Sequence, residues 1–377
     1  MYNNDLTIHL FVDQYQAPYG GAVSYTNSIA NGTAAVTLTD PIDSSAGKLG
    51  AVNITGIDKD LRNPYVQQWN VTVERDLGFN TGLRLSYLGL RADLLYTRNL
   101  NQVQASATVP WSQANASFPV FQTVNYIAHG GEELYNAFTA EATHHIRRGL
   151  QFEGAITFAK NLTDDPDSSD LEAGVTAEDT YNLRRQWGND TYTPRFQFVS
   201  NLIYTLPIGP GGMVLNRDNM LSRIVGGWQL SSAYLANTGN YLTPMFSGVD
   251  PTHINAFKGS VSKNPGVSSQ AVGKQTISNW FNPKAYAIPA AGQFGTAGYG
   301  ILKGPDSQAL NAALFKSFDI WRETKLEISG SFTNALNHPN FSNPDVTITD
   351  TSVGKITGTQ GSFFGPRSGL ISARYTF

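Results

Sequence analysis

The chain has 377 residues, a formal net charge of -3 and no cysteine, which excludes disulfide staples, thiolate metal sites and cysteine nucleophiles and leaves no basic footprint for nucleic acid. Charged residues make up only 15%, against roughly 25% in a typical soluble domain, and hydrophobic residues stand at 41%, so no larger apolar core replaces the missing charge. Asn, Gln, Ser, Thr and Gly replace it, a mixture suited to a wall with lipid on one side and water on the other.

Residues 1–65 read as a loop-rich segment with one or two strands, punctuated by Gly20-Gly21, Asn31-Gly32 and Asp40-Pro41. The opening Met1, Tyr2, Asn3, Asn4 and Asp5 have neither the basic nor the apolar region of a signal peptide. No stretch approaches the roughly 18–20 apolar residues of a spanning helix. Residues 66–377 read instead as one domain of period-two segments.

Trp69, Val71 and Val73 alternate with Gln68, Asn70, Thr72 and Glu74. Leu83, Leu85 and Tyr87 follow, then Phe138, Ala140 and Ala142 against Glu141, and Phe152, Ile156 and Phe158 against Gln151 and Glu153. Phe198, Leu202 and Tyr204 share a face, as do Trp228, Leu230 and Tyr234 against Gln229. Leu326, Ile328 and Phe332 oppose Glu327 and Ser329, and the chain ends with Ile371, Ala373, Tyr375 and Phe377 on one face.

Short connections (75–81, 146–149, 319–324 and a stretched 207–225) alternate with long polar ones (91–132, 161–193, 238–308 and 337–367). Outer-membrane barrels have short periplasmic turns and longer extracellular loops. The pattern predicts an all-β, antiparallel transmembrane β-barrel of outer-membrane type, with about 9–11 strands forming a partial barrel. It also predicts that Val71, Leu85, Phe152, Ile156, Leu230, Ile328 and Phe332 face lipid. Gln68, Asn70, Glu74, Glu141, Gln151, Glu153, Gln229 and Glu327 then face the lumen. Trp69, Tyr204 and Trp228 are candidates for an interfacial aromatic girdle.

Several segments resemble the C-terminal half of a TonB-dependent receptor barrel, of the large kind with an N-terminal carboxypeptidase-regulatory-like domain. They are NPYVQQWNVTVERDLG (63–78), YNAFTAEATHHIRRGLQFEGAITFAKNLTDD (135–165), LPIGPGG (206–212), GGWQLSSAYLANTGNYLTP (226–244), WFNPKAYAIPAAGQFGTAGYGILKGPD (280–306), LFKSFDIWRETKLEISGSFTNALNHPNFSNP (314–344) and the closing YTF (375–377). The resemblance implies an outer-membrane location and a share in importing a large nutrient, with lipid and the barrel-assembly machinery as partners. The family is expected to have a plug, a TonB box and a 22-stranded wall. None of the first two is visible, so the chain is expected to be a fragment that meets the TonB complex only through other parts. The terminal strand (Ile371, Ala373, Tyr375, Phe377) resembles the assembly signal of outer-membrane proteins.

No catalytic constellation, cofactor motif or metal site is expected. The acids Asp164, Asp165, Asp167, Asp170 and Glu172 lack EF-hand spacing and read as a solvated loop. His144 and His145 are neighbours on a strand, beside Arg147 and Arg148, and so point to opposite faces. Gly295, Gly298 and Gly300 lack a nucleotide fingerprint and read as loop flexibility. The alternative reading is a soluble or surface-attached β-sandwich that binds carbohydrate through loop tryptophans Trp111, Trp187 and Trp280.

Overall fold

A computed structural model describes residues 29–30, 33–34, 52–146, 149–164, 177–217, 219–321 and 324–377. Its main feature is a single sheet in which nine long strands follow one another in chain order, every neighbour antiparallel. They are β1 (Tyr65–Gly78), β2 (Thr81–Asn99), β3 (Phe121–Ile146), β4 (Leu150–Thr163), β5 (Phe196–Thr205), β6 (Gln229–Asn237), β7 (Ser307–Trp321), β8 (Thr324–Thr333) and β9 (Ser368–Thr376). Two further pieces complete an 11-stranded sheet: Val52–Ile57 runs parallel to the start of β3, and Gly188–Asn189 pairs with the end of β4. The sheet is open, since β1 and β9 each pair along one edge only among the described residues. This is the partial, antiparallel barrel wall that the alternation implies.

The turns explain the register. Between β1 and β2 the chain reverses through Phe79 (φ 55°) and Asn80 (φ 59°), both left-handed, the geometry that matches the twist of a two-residue hairpin. Asp76 Oδ1 accepts from Gly78 N at 2.8 Å and braces that turn. The same rim carries the β3–β4 and β7–β8 turns, the longer 206–228 connection with its one-and-a-half-turn helix α1 (Met220–Val225), and the end of β9.

Two sequence expectations change. Residues 91–99 and 121–132 are strand, not loop: β2 has 19 residues and β3 has 26, far beyond the roughly 9–11 a bilayer crossing needs. Beyond the bilayer one face no longer meets lipid, so apolar alternation lapses there while the ladder continues. The other change concerns the long connections, which fold together into a cap on the rim opposite the turns.

The cap has its own core of Leu242, Phe246, Val261, Phe281, Ala285, Tyr286, Ala297 and Leu302, with Val346, Ile348 and Val353 of the β8–β9 connection packed on it. Short ladders (Tyr241–Leu242 with Leu302–Lys303, Met245–Ser247 with Lys258–Ser260, Ser262–Lys263 with Tyr286–Ala287) hold it in register. Glycines 295 and 300 are packed rather than loose. A Cβ on Gly295 would strike the Ser260–Val261 backbone, and Gly300 (φ 61°) lies against Asn189.

Candidate functional site: a wall with two unlike faces

Successive strand residues point to opposite sides, and residues paired across a ladder point to the same side. The register therefore sorts the wall into two faces. On one, Val73 pairs with Leu85, Leu85 with Ala140, Ala140 with Ile156 and Ile156 with Phe198. The same face continues through Phe152–Leu202, Tyr204–Leu230, Leu230–Leu314, Gly330–Ile371, Ile328–Ala373 and Leu326–Tyr375. Val71 (64% exposed), Phe158 (53%), Phe332 (51%) and Ile371 (85%) stand uncovered on it. Large apolar patches this size are rare on soluble monomers and mark contact with lipid or protein.

This overturns the sandwich alternative, which needs a second sheet on that face; among the described residues none covers it. The three loop tryptophans are also engaged inside the cap. Trp111 Nε1 donates to Asn101 O (2.9 Å), Trp280 Nε1 to Lys303 O (2.8 Å), and the Arg184 guanidinium lies 4.8 Å from the Trp187 ring.

The opposite face is polar. Gln68, Asn70, Glu74, Glu141, Gln151, Glu153, Gln229 and Glu327 all fall on it by register. Arg84 bridges two of them, with Nε 2.7 Å from Glu74 Oε1 and Nη1 3.4 Å from Glu141 Oε2. One row across four strands carries hydroxyls: Thr72 and Ser86 are 3.1 Å apart, Thr139 and Thr157 3.0 Å. Ser329 and Ser372 repeat the contact at 2.7 Å on β8 and β9. Hydroxyl pairs directly opposite each other satisfy one another across the ladder.

Trp69 lies on the apolar face about ten residues from the β1–β2 turn, with its indole across Gly89. Tyr204, Tyr375 and Phe377 belong to that face at the turn rim, where the Tyr375 and Phe377 rings are 6.3 Å apart. Trp228 immediately precedes β6 there, 6.0 Å from Lys316 Nζ. Of these aromatics Trp69 thus lies away from the turn rim and the other four lie at it. Ile371, Ala373 and Tyr375 lie together on the last strand, which is exposed throughout, and Phe377 follows it directly.

The charged groups of the cap are tied into its structure. Glu178 Oε1 accepts from Ser260 N and Ser260 Oγ, both at 2.9 Å, and Oε2 from Tyr299 OH at 2.5 Å. Burial first, and then the Glu178 carboxylate, push the Tyr299 phenol well above its ordinary value. Asp164 Oδ1 accepts from Glu132 N at 2.6 Å, while burial raises its carboxyl. The rest of the predicted acidic run lies outside the described residues, as do Arg147 and Arg148.

No group of three His, Asp or Glu could hold a metal ion among the described residues. His144 bonds Thr81 Oγ1 at 2.7 Å, and His129 Nε2 accepts from Arg62 N at 2.5 Å. Sequence reasoning missed Lys316, a buried lysine that register places on the apolar face; the break it makes in Leu314-Lys316-Phe318 is a legible signal.

The family comparison agrees with this geometry. A family model described as an outer membrane beta barrel domain matches residues 1–368. Among solved structures, the outer membrane transporter YddB from Escherichia coli aligns with 12% identity and a TM-score of 0.48, covering 87% of this chain. The FpvAI–pyocin S2 complex aligns with 10% identity and a TM-score of 0.37, covering 83% of this chain. The chain spans 34% of the first of those chains and 26% of the second. No curated protein matches it.

Proposed function

This chain belongs to the outer membrane beta barrel domain family, and from that premise we propose that it forms part of the wall of a TonB-dependent receptor importing a large nutrient. Its place is the outer membrane. The single observation that carries the reading is the pairing of an uncovered apolar face with a polar face across one continuous nine-strand sheet. Such a sheet is stable only between lipid and a wet or protein-filled interior.

The edges of β1 and β9 that are unpaired among the described residues support the further step that other strands complete the barrel. Backbone N–H and C=O groups left unpaired in hydrocarbon cost several kcal/mol each. On this reading the polar face lines the lumen, against a plug contributed by other parts of the receptor, and those parts engage the TonB complex. Transport is passive at this wall and involves no catalysis by it. The uncovered last strand, with Phe377 directly after it, is read by the barrel-assembly machinery through strand addition.

Growth on scarce large nutrients tests the import reading. A strain lacking this gene is expected to fail on at least one nutrient on which a strain lacking TonB also fails. Normal growth on every such nutrient would reject the reading.

A further inference from the structure

The 206–228 connection is out of scale with its rim. Its neighbours turn in two or three residues, yet this one is long, ordered and greasy on the outside. Met213, Val214, Met220, Leu221, Ile224 and Val225 all project into the open, Met220 78% and Leu221 60% exposed.

The segment is folded, not slack. Pro207 O accepts from Met213 N (2.8 Å) and Val214 N (3.1 Å), and Gly209 N donates to Val214 O at 2.8 Å. At its neck Gly209 (φ 98°) and Gly226 meet backbone to backbone, so a side chain on Gly226 would strike Ile208 O. Asn219 Oδ1 accepts from Ser222 N at 2.8 Å and caps α1.

Lys316 fixes the side of the wall on which α1 lies. By register it belongs to the apolar face, between Leu314 and Phe318 and opposite Ile328. Its Nζ donates to the carbonyls of Arg223, Ile224 (2.8 Å) and Gly226 at the C-terminal end of α1, where helix carbonyls lack intrahelical donors, and lies 4.5 Å from the Phe318 ring. A lysine that lipid would punish is thereby spent on holding the helix against the outside of the wall. A groove shared by Met220, Ile224 and Phe318 makes the two surfaces continuous.

We propose that residues 213–217 and 219–225 form an interfacial foot, seated in the phospholipid leaflet at the turn rim. The apolar side chains enter the acyl boundary, while Arg217 and Arg223, both exposed, meet headgroup phosphates. The occupant is lipid because the foot extends the apolar face itself, on the side away from the polar lumen. The inference rests on that face meeting lipid and is independent of the transport reading.

The chain has no cysteine, so single cysteines report without background. Leu221→Cys, Val71→Cys and Val272→Cys, each at an exposed position, are labelled with a polarity-sensitive fluorophore. The protein, as extracted from outer membranes, is then reconstituted in phosphatidylethanolamine–phosphatidylglycerol vesicles carrying nitroxide lipids at a shallow or a deep acyl position. The Leu221 probe is expected to be quenched about twofold by the shallow nitroxide and little by the deep one. Val71 is expected to be quenched by the deep nitroxide, and Val272, in the cap, by neither. A quenched Val71 beside an unquenched Leu221 would overturn the foot and leave the wall intact. An unquenched Val71 would instead reject the lipid-facing wall on which the foot depends.

Discussion

In the wall, Val71, Phe158 and Ile371 stand uncovered, whereas in the cap Phe246 is 2% exposed and Val261 fully shut off. The two regions share one chain but use apolar side chains in opposite ways. The cap must build a water-excluding core from loops, so its residues pack inward and the Glu178 carboxylate is held by Ser260 and Tyr299 from another loop. The wall needs no core of that kind, because lipid serves as the partner of its apolar face. Its order comes from the ladder, which pairs each inner strand with a neighbour on both sides. The lesson is that exposure in the wall and burial in the cap are both satisfied states, each in its own solvent.

The comparison predicts mutations that damage one region and spare the other. The largest effect is expected from Phe246→Ala, which should destabilise the cap by about 3–5 kcal/mol through transfer and cavity terms. Membrane insertion of the wall should be unchanged, as read by heat-modifiable electrophoresis beside limited proteolysis of the loops. Next comes Ile328→Arg in the middle of β8, which should cost roughly 2–4 kcal/mol of insertion, whereas Ser329→Arg on the polar face should cost little. Folding titrations into bilayers check that pair, and equal costs at the two sites would break the assignment of faces.

Tyr299→Phe is expected to loosen the cap by about 1.5–3 kcal/mol, since it removes a hydrogen bond to the Glu178 carboxylate. The pH dependence has a definite sign. A phenol raised in the fold contributes stability fully below the unfolded value of about 10 and loses it as pH climbs towards the folded value. Loop proteolysis should therefore accelerate above about pH 10 in the wild type and less so in Tyr299→Phe. The smallest effect belongs to Arg84→Gln, because the ion pairs of Arg84 with Glu74 and Glu141 are exposed and water-screened. Insertion yield should not change measurably.

The wall was legible in the sequence because a sheet with lipid on one side imposes a strict period of two, and the alternation from Trp69 to Phe377 carries it. The order of strands followed from the alternation of short and long connections. The upper halves of β2 and β3 were not legible. Arg91, Asp93, Glu132 and Glu133 break the apolar pattern where neither face meets hydrocarbon, and a ladder survives there that composition does not announce. The cap was hidden for another reason. Phe246, Val261, Phe281 and Leu302 are far apart in sequence with no common period, so only the folded chain brings them into one core. The glycines at 295 and 300 misled in the same way, since close packing and looseness use the same residue.

The central claim is that the two faces of the wall meet different solvents. In intact outer membranes, single cysteines placed in turn at Ile328, Ser329, Gly330, Ser331, Phe332, Ile371 and Ser372 can be probed with a charged, membrane-impermeant thiol reagent. The account predicts labelling at Ser329, Ser331 and Ser372 and protection at Ile328, Gly330, Phe332 and Ile371. Labelling that is uniform, or inverted between the two sets, would contradict it.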